Sequence, residues 1–151
     1  MLKILVINGP NIQLLGRRKP EIYGRETLAD IESKLKIAGE KHGMSLLFFQ
    51  SNCEGAIVDR IAKALDEGIS GIIINPAAYT HTSIAIHDAL EAVQIPAVEI
   101  HISNVFKREE FRHKSMTAPA CIGTICGFGT YGYELALNAI VNYLKGKGRQ
   151  K

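Results

Sequence analysis

Four stretches of the chain hold residue types that can move a proton or grip a hydroxylated ligand. They are Asn8-Gly9-Pro10-Asn11, the cationic run Gly16-Arg17-Arg18-Lys19-Pro20-Glu21-Ile22-Tyr23-Gly24-Arg25-Glu26, Asn75 with Thr80-His81-Thr82, and Glu99-Ile100-His101-Ile102-Ser103-Asn104. Tyr23 is the candidate base. A free phenol keeps its proton to a pH of about 10, but guanidinium groups nearby favour the phenolate, and arginines flank Tyr23 on both sides. A surface loop with solvated charges and a packed tyrosine is the competing reading, and loop composition leaves both open. His101 is the candidate acid. Glu99 precedes it by two, so on a strand both side chains leave the same face. A carboxylate there fixes the imidazole tautomer and favours the protonated form. A core histidine bonded to backbone is the alternative. His81 is either a pocket residue or the neighbour of a helix N-cap, and nothing local decides. Arg108, Glu109, Glu110, Arg112 and Lys114 read as a solvated charged turn. Even so, Arg112 lies far enough beyond its strand to fold back over a pocket, where a rigid fork of donors suits a carboxylate or hydroxyl. His42 and His113 read as solvent-facing.

Such residues need a scaffold, and the chain alternates strand-like and helix-like segments from end to end. Lys3–Asn8, Ser45–Gln50, Gly71–Asn75, Ala97–His101 and Ala120–Cys126 read as strands. Thr27–His42 carries Leu28, Ile31, Leu35 and Ala38 at helical spacing, with Thr27-x-x-Asp30 as a capping box and Gly43 as a stop. Further helices are expected around Ile57–Leu65, Ser83–Val93 and Tyr131–Leu144, with a basic tail from about residue 146 left disordered. Strict alternation implies one α/β domain, a parallel sheet covered on both faces. With the first strand central, the expected order is the flavodoxin-like 2-1-3-4-5 in a three-layer sandwich. Ligands in such sheets bind beyond the carboxyl ends of the strands. That is where the asparagines, histidines and hydroxyls above fall. The long segment after the first strand has glycines at both ends and the form of a lid.

Composition narrows the rest. With 151 residues, 46% of them hydrophobic, the chain can bury a core without staples. The apolar run Ile4–Ile7 breaks at once into Asn8-Gly9-Pro10-Asn11. It suits neither a signal peptide nor a membrane span, so a cytoplasmic location is expected. Cys53, Cys121 and Cys126 contain no Cys-x-x-Cys pair and no zinc spacing, so reduced structural thiols and no metal are expected. The net charge of +3 sits largely in the C-terminal tail, weak ground for nucleic acid. Two binding modules compete with an enzyme. Gly127-Phe128-Gly129-Thr130-Tyr131-Gly132 matches the dinucleotide fingerprint, but it opens the last helix, with no strand after it to carry a ribose-binding acid. A receiver-like signalling domain would want acids at the end of strand one, where this chain has asparagines.

Taken together with Tyr79-Thr80-His81-Thr82-Ser83, Arg108-Glu109-Glu110-Phe111-Arg112 and Gly127-x-Gly129-x-x-Gly132-Tyr133, these motifs resemble the type II 3-dehydroquinate dehydratases over about Leu2 to Lys145. The resemblance implies loss of water from 3-dehydroquinate, giving 3-dehydroshikimate by anti elimination through an enolate, with no cofactor. Aromatic biosynthesis is the implied setting; quinate breakdown would use the same chemistry. By resemblance Tyr23 is the base, and Arg18 lowers its pKa and stabilises the transition state. Asn11 stabilises the enolate oxygen through a water, His101 protonates the departing hydroxyl, and Glu99 orients His101. Asn75, His81 and Arg112 match groups that bind substrate hydroxyls, and the backbone amides of Ile102 and Ser103 match those that hold its carboxylate. Asp88 matches an acid contributed near a subunit boundary, in an assembly that resembles a homododecamer of trimers. Nucleic acid and membrane are not implied as partners. Two positions depart from the family pattern. Ala77 stands where glycine is common after Asn-Pro, and Phe106-Lys107 replaces the more usual His-Ala.

Overall fold

Runs of Ile, Leu and Val without polar alternation make strands that need cover on both faces. The computed structural model describes residues 1–149, without the side chains of residues 22, 23 and 147–149. Its strands are β1 (Leu2–Asn8), β2 (Met44–Gln50), β3 (Gly71–Asn75), β4 (Ala97–His101) and β5 (Gly123–Cys126). They form one sheet of order β2-β1-β3-β4-β5, every pairing parallel. This is the expected topology. Four long helices, α2 (Leu28–Lys41), α3 (Glu54–Asp66), α4 (Ile84–Val93) and α5 (Tyr131–Arg149), make the crossovers and the outer layers, and a single turn, α1 (Pro20–Tyr23), lies in the segment after β1.

Alternation along β1 splits the core in two. Ile4 and Val6 join Ile73, Val98 and Ile100 against Ile31 and Leu35 of α2 and Leu137 and Ile140 of α5. Leu5 and Ile7 join Ile72 and Ile74 against Ile57 and Ile61 of α3 and Ile86 and Leu90 of α4. Burying each such side chain contributes on the order of 1.5–3 kcal/mol, which is what fixes the strand ends in space. The capping box starts α2 as expected, with Thr27 and Asp30 each accepting from the other's backbone amide. Two boundaries differ from the sequence reading. β5 begins at Gly123, not Ala120, because Ala118–Ala120 closes as a 3-10 turn around Pro119, which has no N–H to give a strand ladder. α5 continues past Leu144 to Arg149, and residues 150 and 151 of the expected disordered tail lie outside the described residues. Among the described residues no helix is long and apolar enough to cross a membrane.

Four non-glycine residues take positive φ among the described residues, Asn11, Lys19, Ala77 and Gln94. Ala77 has φ of +53°, in the left-handed region that costs an L-residue roughly 1–2 kcal/mol. It is held there by the bond from its amide to Asn75 Oδ1 (3.1 Å). Ala77→Gly is therefore expected to stabilise the protein by about 1 kcal/mol, after allowing for the looser unfolded chain. A thermal melt should show a rise of about 3 °C; an unchanged or lower midpoint would mean that the turn is not strained.

Candidate active site

The sheet's carboxyl edge holds a cavity of about 180 Å³ lined by Asn11, Arg18, Asn75, His81, His101, Ile102, Ser103, Arg108 and Arg112, with Pro10, Ile12, Leu15, Ala77, Ala78 and Val105 as its apolar wall. That volume is below the usual range for drug-sized ligands. It suits a compact, hydroxylated ring.

Each polar wall residue is placed by an identifiable local cause. β1 ends beside β3, and a Cβ on Gly9 would meet the Pro76 carbonyl oxygen at 2.4 Å, so only glycine lets the two loops touch. Just beyond, Asn11 takes φ of +71°, a conformation asparagine tolerates, and its amide donates to Asn52 Oδ1 (3.0 Å). Its side chain is exposed at the cavity. His81 closes the 3-10 turn after β3. Its Nδ1 donates to the Lys114 carbonyl (2.8 Å), which fixes the tautomer and leaves Nε2 for the cavity.

The His101–Glu99 pair lies at the end of β4. His101 is 7% exposed and Glu99 0%, and His101 Nε2 meets Glu99 Oε2 at 2.8 Å. The same oxygen accepts from Ser115 Oγ (3.0 Å), and Thr117 Oγ1 donates to Glu99 Oε1. A buried carboxylate with this many donors is satisfied. The imidazole is thereby held with Nδ1 as its remaining nitrogen. The ring of His101 is therefore paired with a buried carboxylate rather than with backbone, and His101 lines the cavity.

The glycines after β5 explain the next two residues. Gly127 N–H donates to the His101 carbonyl (3.2 Å) and Gly129 N–H to the Ile102 carbonyl (3.0 Å). In a planar trans peptide the following N–H points the opposite way, so the amides of Ile102 and Ser103 face away from that turn, and both residues line the cavity. The dinucleotide fingerprint is spent in this contact: Gly127 (φ +95°) and Gly129 (φ +63°) make the turn, and their amides serve β4 rather than a phosphate.

Charge at the mouth is positive. Arg18, Arg108 and Arg112 all reach the cavity. Glu109 braces two of them, at 3.2 Å from Arg112 Nε and 3.9 Å from Arg108 Nε. Its own backbone amide first, and then Arg112, hold its carboxyl below the usual range. Arg112 is thus both a member of the charged turn and a cavity residue. Arg108, read from sequence only as part of that turn, also donates through Nη1 to Ser103 Oγ (3.4 Å).

Other expected residues lie elsewhere. Glu99 is fully buried and sits behind His101 rather than among the cavity-lining residues. Asp88 is exposed on α4 and outside this chain's cavity. The Tyr23 side chain lies outside the described residues; its backbone ends α1, followed by Gly24 at φ +81°. The far end of that segment is anchored. Glu26 accepts from Thr130 Oγ1 (2.6 Å) and pairs with Lys34 (2.9 Å), and these partners, Thr130 first, keep its carboxyl below the usual range. The Thr117 and Ser115 brace on Glu99 escaped sequence reasoning, since nothing in a loop that far along the chain points back to a strand.

Among the described residues, His87, Asp88 and Glu91 bring ligand-type atoms within 4.8 Å of one another. His87 is already engaged on both nitrogens, with the Met116 carbonyl and with Glu91, so neither ring nitrogen is left over for a metal. The three cysteines are free. Burial first, and the nearby Glu99 charge second, push the Cys121 thiol up to about 12, which makes it inert at neutral pH.

The family profile described as Dehydroquinase class II matches residues 2–141. A 3-dehydroquinate dehydratase of Clostridium perfringens is 57% identical over 146 residues, covering 97% of this chain and 100% of the relative. One from Teredinibacter turnerae is 57% identical over 152 residues, covering 100% and 99%. The crystal structure of a type II dehydroquinase from Butyrivibrio crossotus superposes with a TM-score of 0.89 at 48% identity, covering 92% of this chain and 97% of that one.

Proposed function

The chain belongs to the class II dehydroquinase family, and on that premise we propose how its residues share the dehydration of 3-dehydroquinate. The enzyme removes water from that substrate in the shikimate pathway. Tyr23, as phenolate, takes the proton from the carbon beside the ketone, and Arg18 favours the ionised phenol. The electron pair moves onto the ketone oxygen as an enolate, which Asn11 stabilises through a water. It then returns to expel the hydroxyl on the opposite face. His101 gives that hydroxyl its Nδ1 proton, so that water leaves rather than hydroxide. Glu99 holds the imidazole for this step. Asn75, His81 and Arg112 bind substrate hydroxyls, and the Ile102 and Ser103 amides bind its carboxylate within the arginine-rich mouth. No step in this sequence calls on a metal, a nicotinamide or a lysine imine.

The observation that carries the reading is His101 at the cavity wall with its Nε2 held 2.8 Å from the fully buried Glu99 behind it, the arrangement expected of an acid and its orienting carboxylate. The test is direct. Purified protein mixed with 3-dehydroquinate alone is expected to build up enone absorbance in the ultraviolet, and to keep doing so in chelator and after borohydride treatment with substrate. Loss of activity to borohydride would mean an imine route and a different set of residues.

The working unit is proposed to be a cytoplasmic homododecamer built from trimers. The exposure of Asp88 outside its own chain's cavity supports this, since an acid on α4 is free to complete the site of a neighbouring copy.

A further inference from the structure

Behind the cavity wall lies a hydroxyl that the proposed steps do not use. Tyr133, in the first turn of α5, is 1% exposed. Its hydroxyl donates to Asn8 Oδ1 (2.5 Å) and accepts from Asn75 Nδ2 (2.9 Å). At its other end Asn75 Oδ1 accepts from the Ala77 amide (3.1 Å). Asn75 is itself 3% exposed and faces the cavity.

We propose that Tyr133 is a positioning residue for substrate binding, fixing the Asn75 amide so that an N–H, and not the carbonyl oxygen, meets the substrate. This rests on the reading of Asn75 as a substrate ligand. A phenol carries one proton. Burial holds the Tyr133 hydroxyl well above its ordinary range, so that proton stays in place at any pH where the enzyme works. With the proton committed to Asn8, Tyr133 has only lone pairs to offer Asn75, and Nδ2 must face it. The Ala77 amide can only donate, so Oδ1 must face Ala77. Both neighbours dictate one orientation. The amide nitrogen has a second hydrogen, and that N–H is what remains for a substrate hydroxyl, which is therefore met as an acceptor.

Tyr133→Phe keeps the ring and removes the hydroxyl alone. The expected result is a rise in KM of about tenfold with kcat held within about threefold, the pattern of lost uniform binding. The discriminating readout is a double-mutant cycle with Asn75→Ala. In that background Tyr133→Phe should change KM by less than about twofold, because nothing is left to orient. An equal KM effect in both backgrounds, or no KM effect where Asn75→Ala alone raises KM, would reduce Tyr133 to a packing residue and overturn the proposal. If Asn75→Ala itself leaves KM unchanged, the reading of Asn75 as a ligand falls first and this proposal with it. Should Tyr133→Phe not accumulate as folded protein, Asn8→Ser, which withdraws the acceptor and spares the ring, is judged by the same criteria.

Discussion

Tyr23→Phe is expected to lower kcat by about 10³–10⁴-fold, the upper part of the range for loss of a positioned acid or base, while the protein melts as before and still binds substrate. The change removes one oxygen and leaves an aromatic ring of the same shape, so a packing role for the ring survives it and a chemical role does not. The described residues that line the cavity offer few other proton acceptors. Asn11 and Asn75 are amides without useful basicity, and His81, whose Nδ1 donates to Lys114, keeps only Nε2 as an acceptor, so His81→Ala beside Tyr23→Phe shows whether any residual turnover passes through it. Arginines cannot accept a proton at all. Steady-state turnover measured by enone absorbance, beside a thermal melt with and without substrate, checks both halves of the expectation. Turnover at the wild-type rate would remove Tyr23 as the base.

The second large effect concerns the other half of the elimination. His101→Ala is expected to reduce kcat by about 10²–10³-fold with KM changed by less than about threefold, since the imidazole acts on charge that develops only as the hydroxyl departs. Glu99→Gln should fall between the two proteins. It keeps an acceptor for His101 but loses the charge that favours an imidazolium, and it leaves Ser115 and Thr117 with an altered partner. An analogue whose leaving group needs no proton gives a sharper check: His101→Ala should cost it far less than it costs the natural substrate. A defect confined to KM would mean that His101 binds rather than protonates.

Much of this site was visible in the sequence because its residues stand at fixed offsets from strand ends. Asn11 follows β1, Asn75 closes β3, and Glu99 and His101 share one face of β4 by the period-two rule alone. The strand-buried isoleucines announced themselves as unbroken apolar runs. What escaped detection depends on loops. Ser115 and Thr117 reach Glu99 from a segment with no periodicity, so only tertiary packing brings them there. Arg108 looked like any solvated cation until the turn after β4 folded it onto Ser103. β5 was read too long because Ala120-Cys121-Ile122 is apolar, while the amides of Ala120 and Cys121 are spent on the carbonyls of Thr117 and Ala118 in the preceding 3-10 turn. The lesson of Tyr133 is similar. The sequence reading placed it in the last helix and in the glycine-rich motif, while the polar tip that joins Asn8 to Asn75 left no trace in pattern or spacing.

That tip also bears on how the protein is made. Tyr133 and Asn8 are 125 positions apart and bonded through side chains, in a sheet whose strands are all parallel and so close only through long crossovers. During synthesis the ribosome releases the asparagine long before the tyrosine. A nascent chain that has not yet released Tyr133 therefore lacks the side-chain bond that ties the end of β1 to α5 and to Asn75. In a refolding experiment, recovery of turnover should lag behind the return of helical circular dichroism, and keep pace with burial of that one phenol.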